Sequence, residues 1–307
     1  MKKILFATTA LVATASVAAA DVTFSGFGAL AAISNEAHSD DGFKVQSNID
    51  IFVNATVETD NGVTFSADIN MEDLSGTNTT DTTPAGTEDD VAPGKSAGNS
   101  VTSVVSVSGG FGKIAFGNTD GALDRSTTEV YRTVGADYEL WGGVIDNSDA
   151  ENILRYEYTI GGLRIAASNS ESDDANGFGV NYTHAMGDMS VNVGAAYETS
   201  SAGAGEDITA VSLGMDMGNG LGVRVAYWES ENDAGATVKD QTDVGIQYKA
   251  GDLTLAAAYM MNDVDNSDNY TVFAEYGLGA GVTAFGGVGT RGATELDVAS
   301  FGVRFNF

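Results

Sequence analysis

Towards the carboxyl terminus every second side chain is apolar: Ala299, Phe301, Val303, Phe305 and Phe307 alternate with Ser300, Gly302, Arg304 and Asn306. Successive side chains of a strand point to opposite faces, so this stretch offers one wall to an apolar medium and the other to water. The same period recurs through most of the chain. It commits the chain to an all-β fold whose strands have two unlike faces.

Segments of period two bounded by turn residues give about sixteen strands. They are expected near residues 22–33, 43–59, 63–73, 99–107, 113–118, 151–160, 163–170, 176–186, 189–199, 208–217, 221–230, 240–249, 253–262, 268–277, 282–289 and 294–307. The connections alternate between two kinds. One kind is short and glycine-rich, as in Asp60-Asn61-Gly62, Gly161-Gly162, Gly187-Asp188, Gly218-Asn219-Gly220 and Ala250-Gly251-Asp252. The other is longer and acidic: residues 35–42, 74–98, 119–150, 171–175 and 231–239. Tight turns on one rim and long polar loops on the other fit an up-and-down transmembrane barrel, and an even strand number puts both termini on the short-turn side.

The apolar sets keep to one face. In the second strand Phe43, Val45, Ile49, Ile51, Val53, Ala55 and Val57 oppose Lys44, Gln46, Asn48, Asp50, Asn54, Thr56 and Glu58, with Ser47 the exception on the apolar side. The sixth sets Leu154, Tyr156, Tyr158 and Ile160 against Arg155, Glu157 and Thr159. A soluble β-sandwich would alternate in the same way with its apolar face inside. The aromatics separate the two cases: Tyr158, Tyr248 and Tyr276 lie near short turns and Tyr197, Tyr227 and Tyr270 near long loops, as girdles at two membrane interfaces would. The first, fourth and fifteenth strands, rich in Gly, Ala and Ser, leave their faces unassigned.

Composition narrows the function. Met1-Lys2-Lys3, an apolar run from Ile4 to Val17 and Ala18-Ala19-Ala20 form a secretory signal over residues 1–20, so the mature chain is expected to be one barrel domain over 21–307. Loss of Lys2 and Lys3 leaves 12 basic residues against 43 acidic ones, a formal charge of −31. So acidic a chain repels nucleic acid, which is excluded as a partner. The absence of cysteine removes disulfides, thiolate metal sites and thiol nucleophiles. His38 and His184 fall on opposite rims and no G-x-S-x-G occurs, so no enzyme machinery is expected. Gly287-Val288-Gly289-Thr290-Arg291-Gly292 fits a phosphate-loop spacing, but a strand follows it where a helix amino terminus is needed.

The opening Asp21-Val22-Thr23-Phe24-Ser25-Gly26-Phe27-Gly28, the strand-turn units Gly220-Leu221-Gly222-Val223-Arg224-Val225-Ala226-Tyr227 and Gly281-Val282-Thr283-Ala284-Phe285-Gly286-Gly287, and the closing Phe301-Gly302-Val303-Arg304-Phe305-Asn306-Phe307 together resemble the general bacterial porins, in particular the alphaproteobacterial trimeric branch. The resemblance spans essentially the whole mature chain. It implies a 16-stranded antiparallel transmembrane β-barrel, a homotrimer in the outer membrane of a Gram-negative bacterium, with the third external loop folded into each pore.

On that reading the connection over residues 119–150 is the inward loop, a length uncommon without a function. It carries Asp120, Asp124, Glu129, Asp137, Glu139 and Asp146, with Tyr131, Tyr138, Leu140 and Trp141 available to pack on the inner wall. The polar faces of the strands supply Lys44, Lys113, Arg155, Arg164, Arg224 and Arg304. A cation at membrane depth is costly unless it faces water or a partner. Acids opposite a basic wall would set a transverse field at the narrowest point, and fixed charges there bias which ions pass. The expected function is passive diffusion of ions and small hydrophilic solutes with weak cation preference. A substrate-specific channel with a saturable site is the alternative. No cofactor is expected beyond Ca²⁺, which external acidic clusters such as Asp40-Asp41, Glu88-Asp89-Asp90, Asp173-Asp174 and Asp263, Asp265 and Asp268 could bind, bridging to lipopolysaccharide phosphates.

Overall fold

The computed structural model describes residues 20–35, 43–72, 74, 100–131, 152–171, 174–201, 205–264, 268–291 and 296–307. The strands are β1 (Asp21–Asn35), β2 (Lys44–Glu58), β3 (Thr64–Glu72), β4 (Ser100–Gly109), β5 (Gly112–Gly117), β6 (Ile153–Ile160), β7 (Leu163–Ser170) and β8 (Ala175–Met186). They continue as β9 (Met189–Ser200), β10 (Glu206–Asp216), β11 (Leu221–Asn232), β12 (Thr237–Ala250), β13 (Leu253–Asn262), β14 (Asn269–Gly279), β15 (Val282–Arg291) and β16 (Leu296–Asn306). Each pairs antiparallel with its sequence neighbours, and β1 pairs with β16 to close the barrel. At that seam Phe307 N–H donates to the Gly26 carbonyl and Gly26 N–H to the Phe307 carbonyl, both at 2.9 Å. Closure leaves no unpaired strand edge, which is the condition for strands to cross hydrocarbon, where no water can satisfy a backbone group.

The faces are inside out relative to a soluble protein. On β16 Phe301 is 55% exposed and the next-door Ser300 only 3%. The outward surface is a continuous apolar belt that includes Leu213, Val225, Val244, Ile246 and Leu255, while the inward faces carry the polar residues. Tyr156, Tyr182, Tyr248 and Tyr276 ring the short-turn end of the belt and Tyr197, Tyr259 and Tyr270 the other, all exposed. Their hydroxyls find polar partners at the rims: Tyr156 donates to the Phe111 carbonyl at 2.7 Å in a short turn, and Tyr259 donates to Asp268 at 2.6 Å on the opposite rim. Rings that are apolar in body and polar at the tip suit a membrane interface. No helix among the described residues is long and apolar enough to cross a membrane.

Two features depart from the sequence expectation. The connection expected over residues 231–239 is a tight hairpin turn, since β11 runs to Asn232 and β12 starts at Thr237. Asn232 explains it: its side-chain oxygen accepts from the Ala234 and Ala236 amides at 3.0 and 3.1 Å, holding the turn from within. The second departure is an apolar cluster on the inner face, Ala29, Ala31, Ile33, Phe285 and Val298, with Phe27 packed against it. With apolar side chains on both faces, β1 and β15 carry no clean alternation, which is why their orientation was unreadable from sequence.

Candidate functional site

The chain leaves β5 at Gly117 and turns inward instead of out over the rim. Residues 122–126 form one short helix, α1 (Ala122–Ser126), and the segment continues extended to Tyr131. A five-residue helix is unstable alone, so its support must come from the wall. Leu123 is fully buried among Ala196, Ile208, Ala210, Ala226 and Trp228, all on the inner faces of β9, β10 and β11. Burying a leucine stabilises by about 1.5–3 kcal/mol, enough to hold a turn that propensity does not.

Hydrogen bonds trace the loop's path across the wall. Ser168 on β7 accepts the Ala122 amide at 2.8 Å, Asn181 on β8 donates to the Ser126 carbonyl at 2.9 Å, and Ser212 on β10 accepts the Thr128 amide at 2.8 Å. Thr128 also donates to Asn192 on β9 at 2.6 Å. Val130 then packs with Ala258 and Met260 on β13. The inner face beneath is made small to admit it. A Cβ on Gly194 would strike the Ser126 carbonyl, one on Gly179 the Ser126 side chain, and one on Gly222 the Tyr131 hydroxyl.

The predicted cations separate into two groups. Arg155, 5% exposed, donates to the Thr119 hydroxyl at 2.9 Å and to the Asp120 carbonyl. Arg164 donates to the Arg125 carbonyl. Arg224 donates to Asp216 at 3.1 and 3.2 Å, with its guanidinium 5.2 Å from the centre of the Tyr131 ring. These three touch the loop. On the wall away from it, Arg304 pairs with Glu275 at 3.2 Å; Lys113 stands in register with Glu157, the acid that pairs with Arg125 of the loop. The Lys44 backbone is on β2, but its side chain lies outside the described residues.

Of the predicted acids, Asp120 is exposed at the foot of the loop, and Asp124 and Glu129 are half-buried on its inward run. Asp137, Glu139 and Asp146 lie outside the described residues, as do Asp40, Asp41, Glu88, Asp89, Asp90, Asp173 and Asp265 of the external clusters. Among the described residues no group of three or more His, Asp or Glu side chains is placed to hold a metal. Burial pushes the Tyr131 phenol up; the Arg224 guanidinium pulls the other way and the Asp216 carboxylate adds to the rise. The Arg224 guanidinium over the Tyr131 ring is a cation–π contact.

Sequence reasoning did not find Arg125, which pairs with Glu157 at 3.2 Å, nor the docking residues Ser168, Asn181, Asn192, Ser212 and Trp228. A signal existed. The inner faces of β8 to β13 include the small residues Gly177, Gly179, Gly194, Ala196, Ala210, Gly222, Ala226, Gly245, Ala256 and Ala258, set among charged ones such as Glu198, Arg224 and Asp243. A lumenal face of small residues is the footprint of something seated on it.

A family model described as Gram-negative porin matches residues 7–295. A Rhodobacter capsulatus porin is 26% identical over 243 residues, covering 66% of this chain and 80% of its own length. Among solved structures, an engineered variant of the Rhodopseudomonas blastica porin superposes with a TM-score of 0.65 at 22% identity, covering 94% of this chain and 100% of its own. A triple mutant of the same porin gives 0.65 at 21% identity, with the same coverage.

Proposed function

Since the chain belongs to the Gram-negative porin family, whose members are outer-membrane channels rather than enzymes, we propose that it is a general diffusion channel for ions and small hydrophilic solutes, weakly cation-preferring. The observation that carries this is the inward course of residues 119–131, which narrows the bore with a loop bearing Asp120, Asp124 and Glu129. Most cations that could oppose cation entry are already engaged. Arg224 and Arg304 each have a carboxylate partner, and Arg125 has Glu157. An arginine so paired contributes little net potential beyond a Debye length of about 8 Å at physiological salt. The formal charge of the chain, −29, leaves acid in excess.

Asp137, Glu139 and Asp146 on the loop, and Lys44, Lys113 and Arg304 on the strands, complete the charged constriction in this reading. Association into a homotrimer and contact with lipopolysaccharide belong to it as well, and so do a leader over residues 1–20 and Ca²⁺ at the external carboxylates. Detergent-purified protein in a planar bilayer under a salt gradient tests the selectivity. The expected reversal potential has the sign of modest cation preference, and its magnitude falls as salt rises, because screening shortens the reach of fixed charge. Anion selectivity would refute the assignment, and current that saturates with one solute would favour a substrate-specific channel.

A further inference from the structure

We infer that Arg155 and Arg164 are positioning residues that fix the inward loop to the wall. This rests on the channel reading above and assigns a distinct task to two of its cations. The two side chains come from adjacent strands, β6 and β7, and grip α1 at opposite ends. Arg155 takes the Thr119 hydroxyl and the Asp120 carbonyl just before the helix; Arg164 takes the Arg125 carbonyl in its last turn. Carbonyls in the last turn of a helix have no partner within it, and a cation placed there satisfies them with favourable charge.

Neither arginine makes an ion pair with a carboxylate among the described residues. Glu157, the near acid, is bonded instead to Arg125 of the loop at 3.2 Å, which adds a third tie at the same place. The loop is thus gripped at Thr119, Asp120 and Arg125 by Arg155, Arg164 and Glu157, while Leu123 anchors its other side on Trp228. Arg155 is 5% exposed and turns one guanidinium nitrogen, Nη1, onto both the Thr119 hydroxyl and the Asp120 carbonyl, while its buried Nε is left without a partner.

Trp228 gives a readout independent of current. It is 1% exposed and touches the cluster around Leu123, so its emission reports whether α1 is seated. The chain has two tryptophans, and Trp141→Phe leaves Trp228 alone. In that background Arg155→Met and Arg164→Met are compared with Arg304→Met, a lumenal cation paired with Glu275 away from α1. Loss of a charge-assisted hydrogen bond is expected to raise the unseated population about tenfold. The expected result is red-shifted Trp228 emission and noisier, larger open-channel current in the first two variants, with neither change in Arg304→Met. Unchanged emission and noise in Arg155→Met and Arg164→Met would overturn the inference. Should Arg155→Met fail to refold, Arg164→Met, which is less buried, decides alone. A parent barrel without conductance would sink the channel reading, while the emission of the same variants would still decide the clamp.

Discussion

Ile246→Arg should cost the barrel about 2–4 kcal/mol of stability in lipid, and Gln247→Arg, its neighbour on β12, close to nothing. The two positions differ only in face. Ile246 is 50% exposed on the outside, flanked in register by Val223 and Ala257, so an arginine there must enter hydrocarbon or drag water with it. Gln247 points into the bore, where a guanidinium stays hydrated. Equilibrium unfolding of the two variants in lipid vesicles measures the difference. Equal stabilities, or a larger loss for Gln247→Arg, would mean that the outward belt does not meet hydrocarbon.

Gly194→Val should unseat the inward loop. The new Cβ would fall on the Ser126 carbonyl and press on Ser212, whose hydroxyl holds the Thr128 amide. Backbone cannot swing aside as a side chain can, and forcing extra methyl groups into a packed contact costs about 1–3 kcal/mol. The wall is a closed hydrogen-bonded ladder and the loop is held by a few side chains, so the loop yields first. The expected outcome is an increase in single-channel conductance with unchanged unfolding stability of the barrel, together with a red shift of Trp228 emission as Leu123 withdraws. Conductance and emission equal to those of the parent would show that the segment around Ser126 does not rest on Gly194.

Strand positions and orientation were legible because both rest on local periodicity. On β6, Leu154 and Tyr156 face out and Arg155 and Glu157 face in, as alternation alone requires. Legibility failed on β1, where Ala29, Ala31 and Ile33 are apolar yet face inward. A side chain's polarity reveals its face only when the bore beside it is wet, and on β1 packing with Phe285 and Val298 replaces water. The turn at Asn232 escaped for a related reason, since a single side chain capping three residues of backbone leaves no periodic trace.

By itself the sequence determined the number and direction of the strands, the outward apolar belt, the two tyrosine rims and the stretch of chain able to enter the bore. Those follow from the pleat, which sends neighbouring residues to opposite sides wherever the strand lies. The tertiary structure alone decided what each lumenal cation does. Arg155, Arg164 and Arg304 share the same face and the same alternation, yet closing the barrel brings the first two under α1 and leaves the third beside Glu275. Partners so distant in sequence are set by the register of pairing around the ring and the course of one loop, and neither quantity is written in any local pattern.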